Sequence, residues 1–283
     1  MAIRLPHLLC AALLAAPAVL GQIDFSGEWA GQIHEDIMHR IDAPGPEIGD
    51  YTGLPINEAA RLRADAWDAA ILTVREHQTA QQTAIYRVRG NNLRISKIVD
   101  DATQKLIAFK IYNGPIPGMS RTIWMDGRPH PPEYAAHTWE GFSTGKWEAD
   151  TLTVETTHIK PGVIQRNGVP HSDRATLIEH FIRHGIYLTV VGIANDPAYF
   201  EEPFIRSSNY VLDVHQQIPP NPFEIVDEIA GRPDGFVPHH LPGTNEFLHE
   251  FSEHRGIPFA ATRGGKATTY PEYQLTLKSI SGR

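Results

Sequence analysis

Cysteine is all but missing from this 283-residue chain: the single thiol, Cys10, falls in the apolar opening stretch, and none follows it. Disulfides, thiolate catalysis and cysteine-ligated zinc are therefore excluded together for the remainder. Leu9 precedes Cys10 where a lipid-attachment site would need a small residue, so no lipoprotein is read. Beyond the opening there is no apolar run long enough to cross a bilayer as a helix. Dense basic blocks are lacking as well. With 25 Lys and Arg against 33 Asp and Glu, the net charge of −8 argues against nucleic acid or an anionic membrane as a partner. Neither a Walker nor a dinucleotide fingerprint occurs, nor a G-x-S-x-G elbow. His171, Ser172 and Asp173 stand side by side, which cannot fold onto itself as a catalytic triad.

What is present begins with a leader. MAIRLPHLLCAALLAAPAVLG carries Arg4, then an apolar stretch over residues 8–20, with Val19 and Gly21 fitting the −3 and −1 positions of a cleavage site. The expectation is a signal peptide over residues 1–21, a mature chain from Gln22, and a protein of the periplasm or the extracellular space with no membrane span. Residues 22–283 suffice for a single β-barrel domain. Histidine is abundant, at 15, and imidazole is both the commonest metal ligand and the usual base near neutral pH.

Along the mature chain, QIDFSGEWAGQI places Phe25, Gly27 and Trp29 in an extended stretch where glycine permits close backbone approach beside a buried ring. This resembles the Gly-x-Trp first strand of lipocalin-like β-barrels, whose Trp plugs the closed end. Residues 44–55 are rich in Pro and Gly and read as a loop. Asn57 then caps a helix reaching about Val74, with Ala59, Leu62, Ala66 and Ala70 as its apolar stripe. TAIYRVR, NLRISKIV, KLIAFKIY and SRTIWM read as antiparallel meander strands. DTLTVETTHI alternates, with Leu152, Val154, Thr156 and His158 on one face. RATLIEHFIRH and IYLTVVGIA form a hairpin about Gly185, and FIRSSNYVLDV adds a last strand. Residues 216–283 read as a C-terminal arm with one short helix from about Phe247 to His254, ended by Gly256 and Pro258. The fold class expected is all-β: a lipocalin-like antiparallel barrel with one early helix and an irregular C-terminal arm.

Chemistry concentrates in DGRPHPPEYAAHTWEGFSTGKWEAD, residues 126–150, which holds Arg128, His130, His137, Trp139, Glu140 and Trp147. Pro129, Pro131 and Pro132 stiffen it, and a rigid loop on a β scaffold is where sites are commonly built. The strand HSDRATLIEHFIRH offers a second constellation. Side chains alternate, so His180 shares a face with Ile178 and Ile182, and Glu179 shares the other with Leu177 and Phe181. If the histidine face is inside, His180 could join His158 on the preceding strand, with His137 or His130, around a divalent metal such as zinc and its water. If Glu179 is inside, an apolar lumen would raise its pKa and suit it to acid/base work, or Arg121 or Arg128 would neutralise it as an ion pair.

The phrases GLPINEAARLRADAWD, TIWMDGRPHP, AAHTWEGFSTGKWEADTLTVETTHIK, RNGVPHSDRATLIEHFIRHG, NDPAYFEEPFIR, HHLPGTNEF and GGKATTYPEY resemble those of a family of exported bacterial hypothetical proteins with no established activity. The likeness spans nearly the whole mature chain. Many relatives carry His where this chain has Phe142, and Gly where it has Ala149.

Two functions follow from these residues. One is an exported small-molecule-binding barrel, with Trp29, Arg121, Arg128, His130, Trp139 and Trp147 as ligand-binding candidates. The other is a hydrolase or lyase acting on a small, perhaps aromatic molecule, with His137, Glu140 and Glu179 as acid/base candidates and a metal at His158 and His180.

Overall fold

The computed structural model describes residues 23–32, 46–78, 82–113, 120–218 and 224–280; the leader and Gln22 lie outside them. Its strands are β1 (Gly27–Gly31), β2 (Leu93–Val99), β3 (Leu106–Asn113), β4 (Ser120–Trp124), β5 (Phe142–Glu148), β6 (Thr151–Thr157), β7 (Gly162–Val163), β8 (Pro170–His171), β9 (Thr176–His184), β10 (Tyr187–Asn195) and β11 (Phe204–Leu212). Nine of them close a barrel in the order β1-β11-β10-β9-β6-β5-β4-β3-β2, and β7 with β8 makes a separate ribbon. The all-β barrel expected from the sequence is therefore present. Its pairing is mixed, however. Each antiparallel junction reverses strand direction, so a ring of nine cannot be antiparallel throughout, and β4 with β5 supplies the parallel junction.

That junction dictates the path of residues 125–141. The chain must return from the far end of β4 to the near end of β5 before it can run parallel, and it does so across the outside of the wall. Segment 142–148 had been read as part of a loop. Its polar Ser143 and Gly145 hide a period-two pattern in which Ser143, Gly145 and Trp147 point inward.

The two ends of the barrel differ. At one, here called the hairpin end, β2 to β3, β5 to β6 and β9 to β10 are joined by short turns. At the other the connections are long and carry the ribbon and helices α1 (Glu58–Asp65), α2 (Arg75–Gln78) and α3 (Ala84–Arg87). The lower lumen is filled by an apolar cluster that includes Phe25, Trp29, Phe109, Ile123, Leu152 and Phe181. Each such side chain, taken fully out of water, contributes about 1.5–3 kcal/mol. Trp29 is completely buried and donates its indole N–H to the Phe25 carbonyl at 2.9 Å. Gly27 has φ of +146°, and a Cβ there would lie 2.7 Å from Leu212, so glycine is required beside this ring.

A second cluster, with Tyr51, Ile56, Ile85, Val88, Leu177 and Phe204, caps the opposite end. Its centre is α3, where the sequence pattern TAIYRVR had suggested a strand. Thr83 prevents that by capping a helix: its hydroxyl accepts from the Tyr86 amide. The segment enters the barrel mouth as a plug, and Val88 occupies the space left by the absent side chain of Gly192 on β10. His171, 1% exposed, holds the plug in place. Its Nδ1 donates to the Ser172 carbonyl at 3.2 Å, so Nε2 is left to accept from the Thr83 hydroxyl at 2.8 Å. Burial pushes its pKa below the ordinary histidine value, which keeps the ring neutral.

The early helix also departs from its sequence reading. It stops at Asp65, and Asp68 caps a short 3-10 turn over Ala69–Thr73. Its buried face is Ala60 and Ala64, while Leu62 is 55% exposed. Small residues face inward because the helix lies close against β8 and the apolar cap cluster. The arm contains the expected helix, as a 3-10 turn and α4 (Glu250–Arg255) ended by left-handed Gly256, and two more, α5 (Phe259–Thr262) and α6 (Tyr273–Ile280). Arg263 clamps it with two hydrogen bonds to Asp65, of 2.8 and 2.7 Å, and Tyr51 donates to the same carboxylate at 2.7 Å. Among the described residues no helix is long and apolar enough to cross a membrane.

Candidate functional site

Alternation on β9 settles which of its faces is inside. Leu177, Glu179 and Phe181 are buried, and Ile178, His180 and Ile182 line the outer surface. Glu179 meets Arg121 of β4 in an ion pair whose side chains are each 7% exposed. Beside it Glu140 pairs with Arg87 from the α3 plug. The four charges form a quartet between the apolar filling of the lumen and the apolar cap. Burial is the main influence on Glu140 and raises its pKa, opposed by Arg87 and Arg121; burial likewise lowers Arg87. Arg87 was missed in the sequence because its segment read as a strand, and no local signal marks it.

The rest of residues 126–139 stays outside the wall. Arg128 lies 3.4 Å over the Trp124 ring and hydrogen-bonds Asp126. The pairing holds Asp126 below the usual carboxylate range. His130 bridges two strands, with Nε2 at 2.8 Å from the Thr144 hydroxyl and Nδ1 at 2.7 Å from that of Thr157. Thr157 is also 2.7 Å from His158 Nδ1, and His158 Nε2 is 3.0 Å from the Pro132 carbonyl. A carbonyl can only accept, so with one N–H on each ring the four bonds have one consistent arrangement. His158 Nε2–H donates to Pro132, Thr157 donates to His158, His130 Nδ1–H donates to Thr157, and Thr144 donates to His130. His137 packs edge-on against His158 with ring centroids 5.3 Å apart. Trp139 sits under Lys160, and its carbonyl accepts from the Ala84 amide at the start of the plug. The loop thus acts as a strap that fastens β5, β6 and α3 together.

This geometry does not bring the metal candidates together. His180 bonds outward to Thr153 at 3.1 Å, and His158, at φ +56°, has left the alternation of β6 and turned toward the strap. The two histidines have separate partners, and among the described residues no three His, Cys, Asp or Glu side chains are placed to hold a metal ion. The acid/base candidates are divided too, His137 being outside the wall and Glu140 and Glu179 within it.

Open space of ligand size lies at the hairpin end. A cleft of about 550 Å³ opens there, within the range of roughly 300–1,000 Å³ usual for small-molecule sites. Its apolar lining is Ile23, Val99, Leu106, Phe109 and Trp147. Trp147 stacks on Phe25 with centroids 5.5 Å apart and ring planes within 14°, and Phe109 meets Phe25 edge-on. The polar rim is Asp24, Lys97, Gln104 and Lys105. Of the ligand-binding candidates, Trp147 lines this cleft. Trp29 lies beneath Arg183 in the packed core, Arg121 is in the quartet, and Arg128, His130 and Trp139 belong to the strap. The cleft residues on β2 and β3 escaped notice because their sequence is that of any amphipathic hairpin.

No protein-family model matches the chain, and neither a curated protein nor a solved structure is significantly similar to it. The functional reading therefore rests on the cleft and the quartet alone.

Proposed function

We propose that the protein is an exported barrel that binds one small, partly apolar molecule in the cleft at its hairpin end. The observation that carries the reading is the cleft itself, a concavity of ligand size floored by Trp147 and Phe109 and rimmed by a few polar groups. A packed lumen below it supports the reading further, because a floor fixed by Phe25, Phe109 and Phe181 does not collapse when the cleft is empty. Export is supported by the leader pattern of residues 1–21.

The enzyme reading has one observation in its favour: Glu140, with its raised pKa, lies in a charged interior. It is disfavoured by the α3 plug, which covers that interior, and by the separation of His137 from both glutamates.

The test is a titration with N-phenyl-1-naphthylamine, a neutral apolar fluorophore. One equivalent should bind, Trp147→Ala should weaken it by about tenfold through loss of a buried aromatic contact, and His137→Ala should leave it unchanged. Loss of binding in His137→Ala with retention in Trp147→Ala would move the site to the strap.

A further inference from the structure

We infer that the cleft selects an organic monoanion, a flat aromatic or alkyl body carrying one carboxylate or sulfonate. The inference rests on the reading of the cleft as the binding site and adds the chemistry of its occupant. The body is dictated by the floor. Trp147 is held against Phe25, and Phe109, 2% exposed, is fixed edge-on to the same ring, so the surface offered is flat, apolar and immobile.

The head is dictated by the rim. Lys97 is 2.7 Å from Asp24, and these two charges cancel. Lys105 is the remaining charge, and among the described residues no carboxylate is paired with it. The charged side chains of the lining, Lys97, Lys105 and Asp24, thus sum to one positive charge in a chain whose net charge is −8. The turn that presents Lys105 is rigid. Asp100 accepts from the Thr103 amide and hydroxyl, both at 2.7 Å, its carbonyl accepts from Gln104, and its amide donates to the Lys105 carbonyl at 2.9 Å. Gln104 adopts φ of +55°, a left-handed conformation unfavourable for a side chain that is not glycine. A turn held by four hydrogen bonds sets Lys105, an exposed cation, at the edge of an apolar floor, the pairing that an amphipathic acid satisfies.

Calorimetric titration with 2-naphthoate and with 2-naphthamide, its uncharged counterpart, tests this on the full protein. Naphthoate should bind about tenfold tighter, the size expected of one charge-assisted hydrogen bond from Lys105. In Lys105→Met the two should bind within about twofold of each other, and Lys160→Met, at the opposite end of the barrel, should keep the wild-type preference. Equal affinity for both compounds in the wild type, or loss of preference in Lys160→Met as well, would overturn the anion inference while leaving the cleft as the site. Failure of both compounds and of N-phenyl-1-naphthylamine to bind at millimolar concentration would overturn the cleft reading with it.

Discussion

Four charged side chains in the lumen are costly to bury. Removing one partner strands the other in a medium that cannot solvate it, and that loss is typically about 3–5 kcal/mol, whereas replacing both by apolar groups is often neutral or stabilising. Glu179→Leu should therefore lower the unfolding free energy by that amount in urea, because Arg121 is left buried. Arg121→Met combined with Glu179→Leu should recover most of it, and a double variant as unstable as the single would show that the pair is worth more than its desolvation. Residue-scale legibility was uneven. The alternation of β9 left two faces open, and only the outcome for Leu177 and Phe181 chose between them. Glu179 with Arg121 as a neutral pair was one of the readings the pattern allowed. His158 was misjudged because period-two alternation was carried one residue past the end of β6, where φ becomes +56°. Ala149 has φ of +53° in the turn between β5 and β6, a conformation that glycine would adopt without steric cost.

At the scale of elements, α3 matters most and was the least visible. A seven-residue run with apolar residues at alternate positions suits a strand by pattern, and what overrides it is a capped turn together with the space over Gly192. A Cβ at 192 would stand 2.4 Å from a methyl of Val88. Gly192→Ala should thus push the plug outward and destabilise the fold by about 1–3 kcal/mol, the usual cost of overpacking. Adding Val88→Ala should restore much of it; a thermal melt in which Gly192→Ala equals the wild type would show that the plug does not seat there. Most barrel strands were legible because one face of each is apolar and the turns between them carry Gly, Asn or Asp. β5 was not, since its inward positions include Ser143, whose hydroxyl is satisfied by Thr156 at 2.9 Å instead of by apolar packing.

For the whole molecule, the arm is joined to the rest by directional bonds spread along its length. Arg263 and Tyr51 converge on Asp65, and Asn245 donates to the Asp65 carbonyl at 2.8 Å, so one acidic residue of α1 holds the arm at two points 18 residues apart. Arg263→Met should cost about 1.5–3 kcal/mol, as for hydrogen bonds to a charged group. It should also speed cleavage by subtilisin within residues 224–280, followed by mass spectrometry, with the barrel left intact. Unchanged cleavage would mean that the arm is held elsewhere. The arm's position on α1 could not be read from sequence, because nothing local links Asp65 to a partner 198 residues away.

Ring closure has a consequence in time. β1 is hydrogen-bonded on one side to β2 and on the other to β11, so it waits about 180 residues for its second neighbour, as the pair Gly31 and Tyr210 shows. Contacts so distant in sequence make folding slow. Until β11 arrives, β1 and β10 each present an unpaired edge, the kind of edge that can pair with another chain.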